Sequence, residues 1–246
     1  MTINLKGYQI NKLIYDSTRT LVYRATREDD SGSVILKQLR PECPTFSEIL
    51  QFRHQYILSK NLNLPGIVKP ISLEKYGNGY VLVMEDVGGI SLSDYYRRPL
   101  NLEEFFNVGL SLAKILAALY RNRVIHKDIK PANILINPET KEIFLIDFSI
   151  ATLLPRETQQ LQNPNQLEGT LAYISPEQTG RMNRGIDYRS DFYSLGVTFY
   201  ELLTGKLPFR SEDPMELVHS QIAKIAEPPH LVKADIPQAS RPTRCR

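Results

Sequence analysis

The chain has few cysteines, no long apolar run and no excess of one charge. Of its 246 residues only Cys43 and Cys245 are cysteines, far apart in sequence, which argues against a disulfide framework or a zinc site and suits a reducing cytoplasm. Thirty basic residues stand against 27 acidic ones, a net charge of +3. That balance argues against nucleic acid or an anionic membrane surface as the main partner. There is no N-terminal apolar leader and no uninterrupted stretch approaching about 18 apolar residues. The expectation is a soluble, cytoplasmic protein with no membrane insertion, long enough to bury a substantial core.

What is present divides the chain into two characters. From Tyr8 to Leu39, short β-branched and aromatic runs alternate with polar turns, the pattern of an antiparallel hairpin sheet. Residues 46–62 read as a helix, and two further strands, Ile67 to Leu73 and Tyr80 to Met84, flank a turn at Tyr76-Gly77-Asn78-Gly79. Beyond Gly89 the pattern becomes helical. Asn101-Leu102-Glu103-Glu104 forms a capping-box start, and Phe105, Val108, Leu112, Ile115, Leu116 and Leu119 recur at helical spacing to about Arg123. Residues 156–166, rich in Gln and Asn, read as a loop, and 214–226 as one helix.

The densest chemistry lies in His126-Lys127-Asp128-Ile129-Lys130-Pro131-Ala132-Asn133, followed nineteen residues after Asp128 by Asp147-Phe148-Ser149. A carboxylate, a lysine, and an amide and carboxylate suited to a hard cation occur there in the order an in-line phosphoryl transfer needs. Further segments accompany them: Val34-Ile35-Leu36-Lys37, Ser175-Pro176-Glu177, Asp191-Phe192-Tyr193-Ser194-Leu195-Gly196, and Leu202 to Phe209. In this order and spacing the chain resembles the eukaryotic-type protein kinases over residues ~8 to ~225. Arg181 to Arg184 and Ile186 to Asp191 look most like the N-terminal kinase domain of large bacterial multidomain sensor proteins.

The resemblance implies an α+β, bilobal fold in one kinase domain, with a small antiparallel-sheet lobe carrying one helix at about 8–86 and a mainly helical lobe at about 88–226. It implies ATP and Mg²⁺, and a protein partner offering a Ser or Thr hydroxyl, the chain itself included. Asp128 would be the base, Lys130 the cation on the transferring phosphate and the mark of Ser/Thr acceptors, and Thr170 a bridge between them. Asn133 and Asp147 would hold the metal, and Lys37 the α- and β-phosphates. Adenine would lie on the backbone of Glu85 and Val87, between Val22 and Ile35 above and Leu135 below.

Several positions depart from that pattern. The family's glycine-rich phosphate loop aligns with Tyr15 to Val22, where every glycine is missing. Binding there would fall to Ser17, Thr18, Arg19 or Thr20 without close backbone approach. The helix glutamate that normally faces Lys37 is replaced by Gln55; either Glu48 substitutes after a register shift, or Gln55 and Asp147 hold the lysine. Lys127 stands where an arginine usually grips a phosphorylated loop, so dependence on phosphorylation at Thr152 or Thr158 should be weak. The family's last helices are not visible in 227–246, which read as a polar tail and suggest a truncated copy. The competing reading is a weak or inactive nucleotide- or partner-binding scaffold.

Overall fold

The computed structural model describes residues 4–40, 44–154, 170–180 and 185–238. The segments Arg156 to Gly169 and Arg181 to Arg184, with Thr158 among them, lie outside these residues.

The first lobe is a five-stranded antiparallel sheet, ordered β1-β2-β3-β5-β4: β1 (Tyr8–Asp16), β2 (Thr20–Arg27), β3 (Ser33–Leu39), β4 (Pro70–Tyr76) and β5 (Gly79–Glu85). Strand alternation separates its two faces. Tyr23, Ala25, Val34, Leu36, Val81 and Val83 pack on one, while Leu39 and Leu82 meet Phe52 of helix α1 (Phe46–Asn61) on the other. The cross-strand pairs Val22 with Lys37 and Ile35 with Met84 put the cleft-facing residues together. α1 starts at Thr45, whose hydroxyl accepts from the Glu48 amide while the Glu48 carboxylate reaches back to the Thr45 amide at 2.8 Å. Each bond satisfies a first-turn donor that the helix itself cannot.

The second lobe is built on α3 (Leu102–Arg121) and α4 (Tyr188–Thr204). Asn101 and Glu104 form the expected capping box, and Val108, Leu112, Ile115, Leu116 and Leu119 are all buried in the main core. Fully burying one such side chain contributes roughly 1.5–3 kcal/mol before the compactness of the unfolded chain is discounted. The hinge backbone passes through Gly88, at φ +63°, into Gly89, where an added Cβ would lie 2.9 Å from Leu135 Cβ. Any larger residue there would have to displace Leu135.

Short elements then frame the cleft: β6 (Ile90–Ser91), α2 (Leu92–Tyr95), β7 (Val124–Ile125), β8 (Ile134–Ile136), β9 (Ile143–Leu145) and β10 (Thr152–Leu153). They make two small sheets, β6-β8-β9 and β10-β7. Their two- and three-residue strands carry too little alternation to be read from sequence. Helix α5 (Pro214–Ala223) ends three residues before the expected Ala226. The stretch read as a polar tail holds one more helical turn, α6 (Pro229–Val232), beside α4, with Lys233 Nζ donating to the Leu100 carbonyl at 3.2 Å.

Candidate active site

Strand β7 delivers the chain to His126, and a buried carboxylate turns it. Asp191, on the first turn of α4 and fully buried, accepts the His126 amide at 2.9 Å and the Lys127 amide at 2.8 Å. Burial pushes its carboxyl up, against the opposing pull of His126 and these two amides. Lys127 takes φ 68°, a left-handed value that persists in a non-glycine residue only when its surroundings hold it there. The outcome is a fixed exit vector for Asp128.

Two side chains and one amide fix the Asp128 carboxylate. Lys130 Nζ lies 2.6 Å and Asn133 Nδ2 2.7 Å from Oδ2, and the Thr170 amide donates to Oδ1 at 3.1 Å. Lys130 also donates to the Thr170 hydroxyl. Asn133 uses Nδ2 a second time, on the Asp128 carbonyl at 2.9 Å. Both of its protons therefore face Asp128, and its amide oxygen faces elsewhere.

The second carboxylate segment is tied to the first through Asn133. The Ile146 amide donates to the Asn133 carbonyl at 3.0 Å, and His126 Nε2 lies 2.9 Å from the Ile146 carbonyl. Phe148, 1% exposed, packs edge-on against His126 with centroids 4.8 Å apart. Asp147, at φ 65°, then points its carboxylate at Lys37, with Nζ 3.0 Å from Oδ1. Burial alone would raise its pKa, but the Lys37 charge and hydrogen bonds from Lys37 and Ser149 pull it down to about 2. It is an anion at every physiological pH.

Lys37 has a second partner in Gln55, whose Oε1 accepts at 3.0 Å. Glu48, the alternative partner, is occupied by the α1 cap, which holds its carboxyl below the usual range. A neutral amide thus stands where the resemblance leads one to expect a helix carboxylate.

At the adenine end, the Val87 carbonyl accepts from Asn137 Nδ2 at 2.8 Å, so one of its two lone pairs is already taken. The neighbouring Asp86 is tied to Arg24 at 2.7 Å, to the Ser33 hydroxyl at 2.7 Å and to the Gly88 amide at 2.9 Å. This hinge lock spans 62 residues and had no local signal in the sequence.

Ser17 closes a turn on itself. Its hydroxyl accepts from the Thr20 amide at 3.0 Å and the Arg19 amide at 3.3 Å, and donates to the Thr20 carbonyl at 3.1 Å. The Ser17 amide also donates to Thr20 O at 3.0 Å, and Arg40 donates to the Ser17 carbonyl at 2.8 Å and to the Asp16 carboxylate. The result is a self-closed hydroxyl turn, a geometry that serine supports and glycine cannot.

Comparison with known proteins fits this geometry. Residues 8–243 match the model of the protein kinase domain. The chain belongs to that family. It is 34% identical to the serine/threonine-protein kinase PrkC of Bacillus subtilis over 85% of its own length and 32% of that protein's. It is 32% identical to PknB of Mycobacterium tuberculosis over 80% of itself and 32% of PknB. A probable serine/threonine-protein kinase of Clostridium perfringens is 30% identical over 94% of the chain and 34% of that protein. The kinase domain thus spans about a third of the length of the relatives it matches. Among the described residues, no helix is long and apolar enough to cross a membrane.

Proposed function

We propose that this kinase domain transfers the terminal phosphoryl group of ATP to Ser or Thr hydroxyls of proteins. The observation that carries the reading is that Asn133 links two carboxylate segments: Asp128, bonded to Lys130, Asn133 and Thr170, and Asp147, paired with Lys37 and preceded by Ile146, whose amide donates to the Asn133 carbonyl. Among the described residues Asp128 Oδ1 accepts the Thr170 amide alone, so a lone pair remains for the acceptor hydroxyl proton, while Lys130 and Asn133 fix the other oxygen. Lys130 sets a positive charge beside the transferring group, and Lys37 sets another on the nucleotide side.

The Asn133 amide oxygen and the Asp147 carboxylate are hard donors of the kind Mg²⁺ prefers, and neither Asn133 proton competes for that oxygen. When bound there, Mg²⁺ would neutralise charge on the phosphate oxygens. Glu85, Val87, Val22, Ile35 and Leu135 are the proposed base-binding residues, with Val87 contributing one remaining lone pair. The Ser17 hydroxyl closes its own turn, so a phosphate contact from this loop would require that turn to open.

The reading is tested by incubating the protein with Mg²⁺ and γ-labelled ATP, alone and with a generic protein acceptor. Labelled phosphoserine or phosphothreonine is expected, falling by at least about a hundredfold in Asp128→Asn. Equal silence of wild type and variant, while ATP still raises the melting temperature, would replace this reading with a nucleotide-binding scaffold.

A further inference from the structure

Helix α1 meets the second lobe through Leu58, buried in the main core, and through two consecutive polar residues. Gln55 reaches Asp147 through Lys37, with both contacts of the ammonium at 3.0 Å. His54 Nε2 lies 2.7 Å from the backbone oxygen of Ala151. A carbonyl oxygen only accepts, so the hydrogen sits on Nε2 whether the ring is neutral or charged. One helix therefore grips the turn from Asp147 to Ala151 at both ends.

That turn needs external support. Asp147 is a non-glycine residue at φ 65°, a conformation that persists only where contacts over-determine it. On its far side, Ala151 is fully buried and leads directly into β10, whose Thr152 and Leu153 pair with Ile125 and Val124. Strand β7 in turn runs into His126 and Asp128. Ala151 is the joint between the Asp147 turn and the strand that leads to the proposed base.

We propose that His54 is a positioning residue: its bond to Ala151 docks α1 on the second lobe and holds Asp147 in register with Lys37 and Asn133. It supplies anchorage that the uncharged Gln55 provides only weakly. The catalytic consequence rests on the kinase reading above, whereas the structural one rests on geometry alone.

Amide exchange and steady-state kinetics on wild type, His54→Ala, His54→Gln and the control Ile57→Ala separate the two. Ile57 is on α1 and 54% exposed. In His54→Ala, exchange at residues 151–153 should accelerate about tenfold, the equivalent of one lost hydrogen bond. Its kcat should fall about tenfold to a hundredfold through misplacement of the Asp147 turn, with KM for ATP changing by less than about twofold. Gln can donate an N–H to the same carbonyl and should bring exchange and kcat back to within about threefold of wild type. Ile57→Ala should change neither. Should His54→Ala not fold, His54→Asn, too short to span the gap, takes its place. Unchanged exchange in the shortened variant, or a failure of Gln to rescue, would overturn the proposal. If wild type transfers no phosphate, the kinase reading fails, and the exchange result alone decides the role of His54.

Discussion

The two sides of the cleft are built in opposite ways. On the second-lobe side, charge and hydrogen bonds converge: Asp128, Lys130, Asn133 and Thr170 share one network, and Asp191 fixes the backbone beneath it. On the first-lobe side the corresponding groups are neutral or turned inward. Gln55 replaces a carboxylate, and the β1–β2 turn consumes its own amides through Ser17. On the proposed reading, the groups for transfer are prearranged, while the grip on nucleotide phosphates would depend on Lys37 and on residues that dock the helix. Rate and nucleotide affinity should respond to different mutations.

The sharpest break in that comparison is Asp191→Ala. It would strip two buried backbone amides of their acceptor and leave a void, for a loss of about 3 kcal/mol or more, read as a fall in the denaturant midpoint. A variant as stable as wild type would show that the second-lobe scaffold does not rely on this carboxylate. Ser17→Gly probes the opposite side and should strengthen binding. Freeing the Arg19 and Thr20 amides is expected to tighten ATP binding about threefold to tenfold by calorimetry. Weaker binding would mean that the hydroxyl turn favours the nucleotide-competent shape.

Acid tests the Lys37–Asp147 ion pair across the cleft. The Asp147 carboxyl lies at about 2 in the fold against an ordinary 3.8. Its contribution to stability is therefore complete above pH 3.8 and lost as pH falls through about 2. The melting-temperature advantage of wild type over Asp147→Asn should shrink across that window; a constant difference would contradict the pairing. The smallest effect is expected at Tyr193, whose hydroxyl is buried without a partner among the described residues, and whose pKa burial pushes up to about 12. Tyr193→Phe should leave the melting temperature unchanged or slightly raised, and a loss above about 1 kcal/mol would reveal a missed partner.

Features encoded locally were legible in the sequence. The Asn101 and Glu104 cap, the apolar stripe from Val108 to Leu119 and the segment from His126 to Asn133 each lie within one element or loop. Gln55 could be reached by counting back from Pro65 because the intervening helix has fixed geometry. Contacts that join distant segments had no such ruler: His54 to Ala151 spans 97 residues and Arg24 to Asp86 spans 62. The Ser17 turn was not legible for another reason. Its position in the phosphate loop was visible, but whether a hydroxyl faces outward or closes its own turn depends on backbone angles that a five-residue sequence does not fix.

The central claim is that Asp128 and Asp147 serve one nucleotide from neighbouring strand ends. Incorporation of γ-labelled phosphate into Ser or Thr by wild type beside Asp147→Ala tests it most directly. The account predicts incorporation by wild type and a loss of at least about a hundredfold in the variant. Equal incorporation by the two proteins would contradict it.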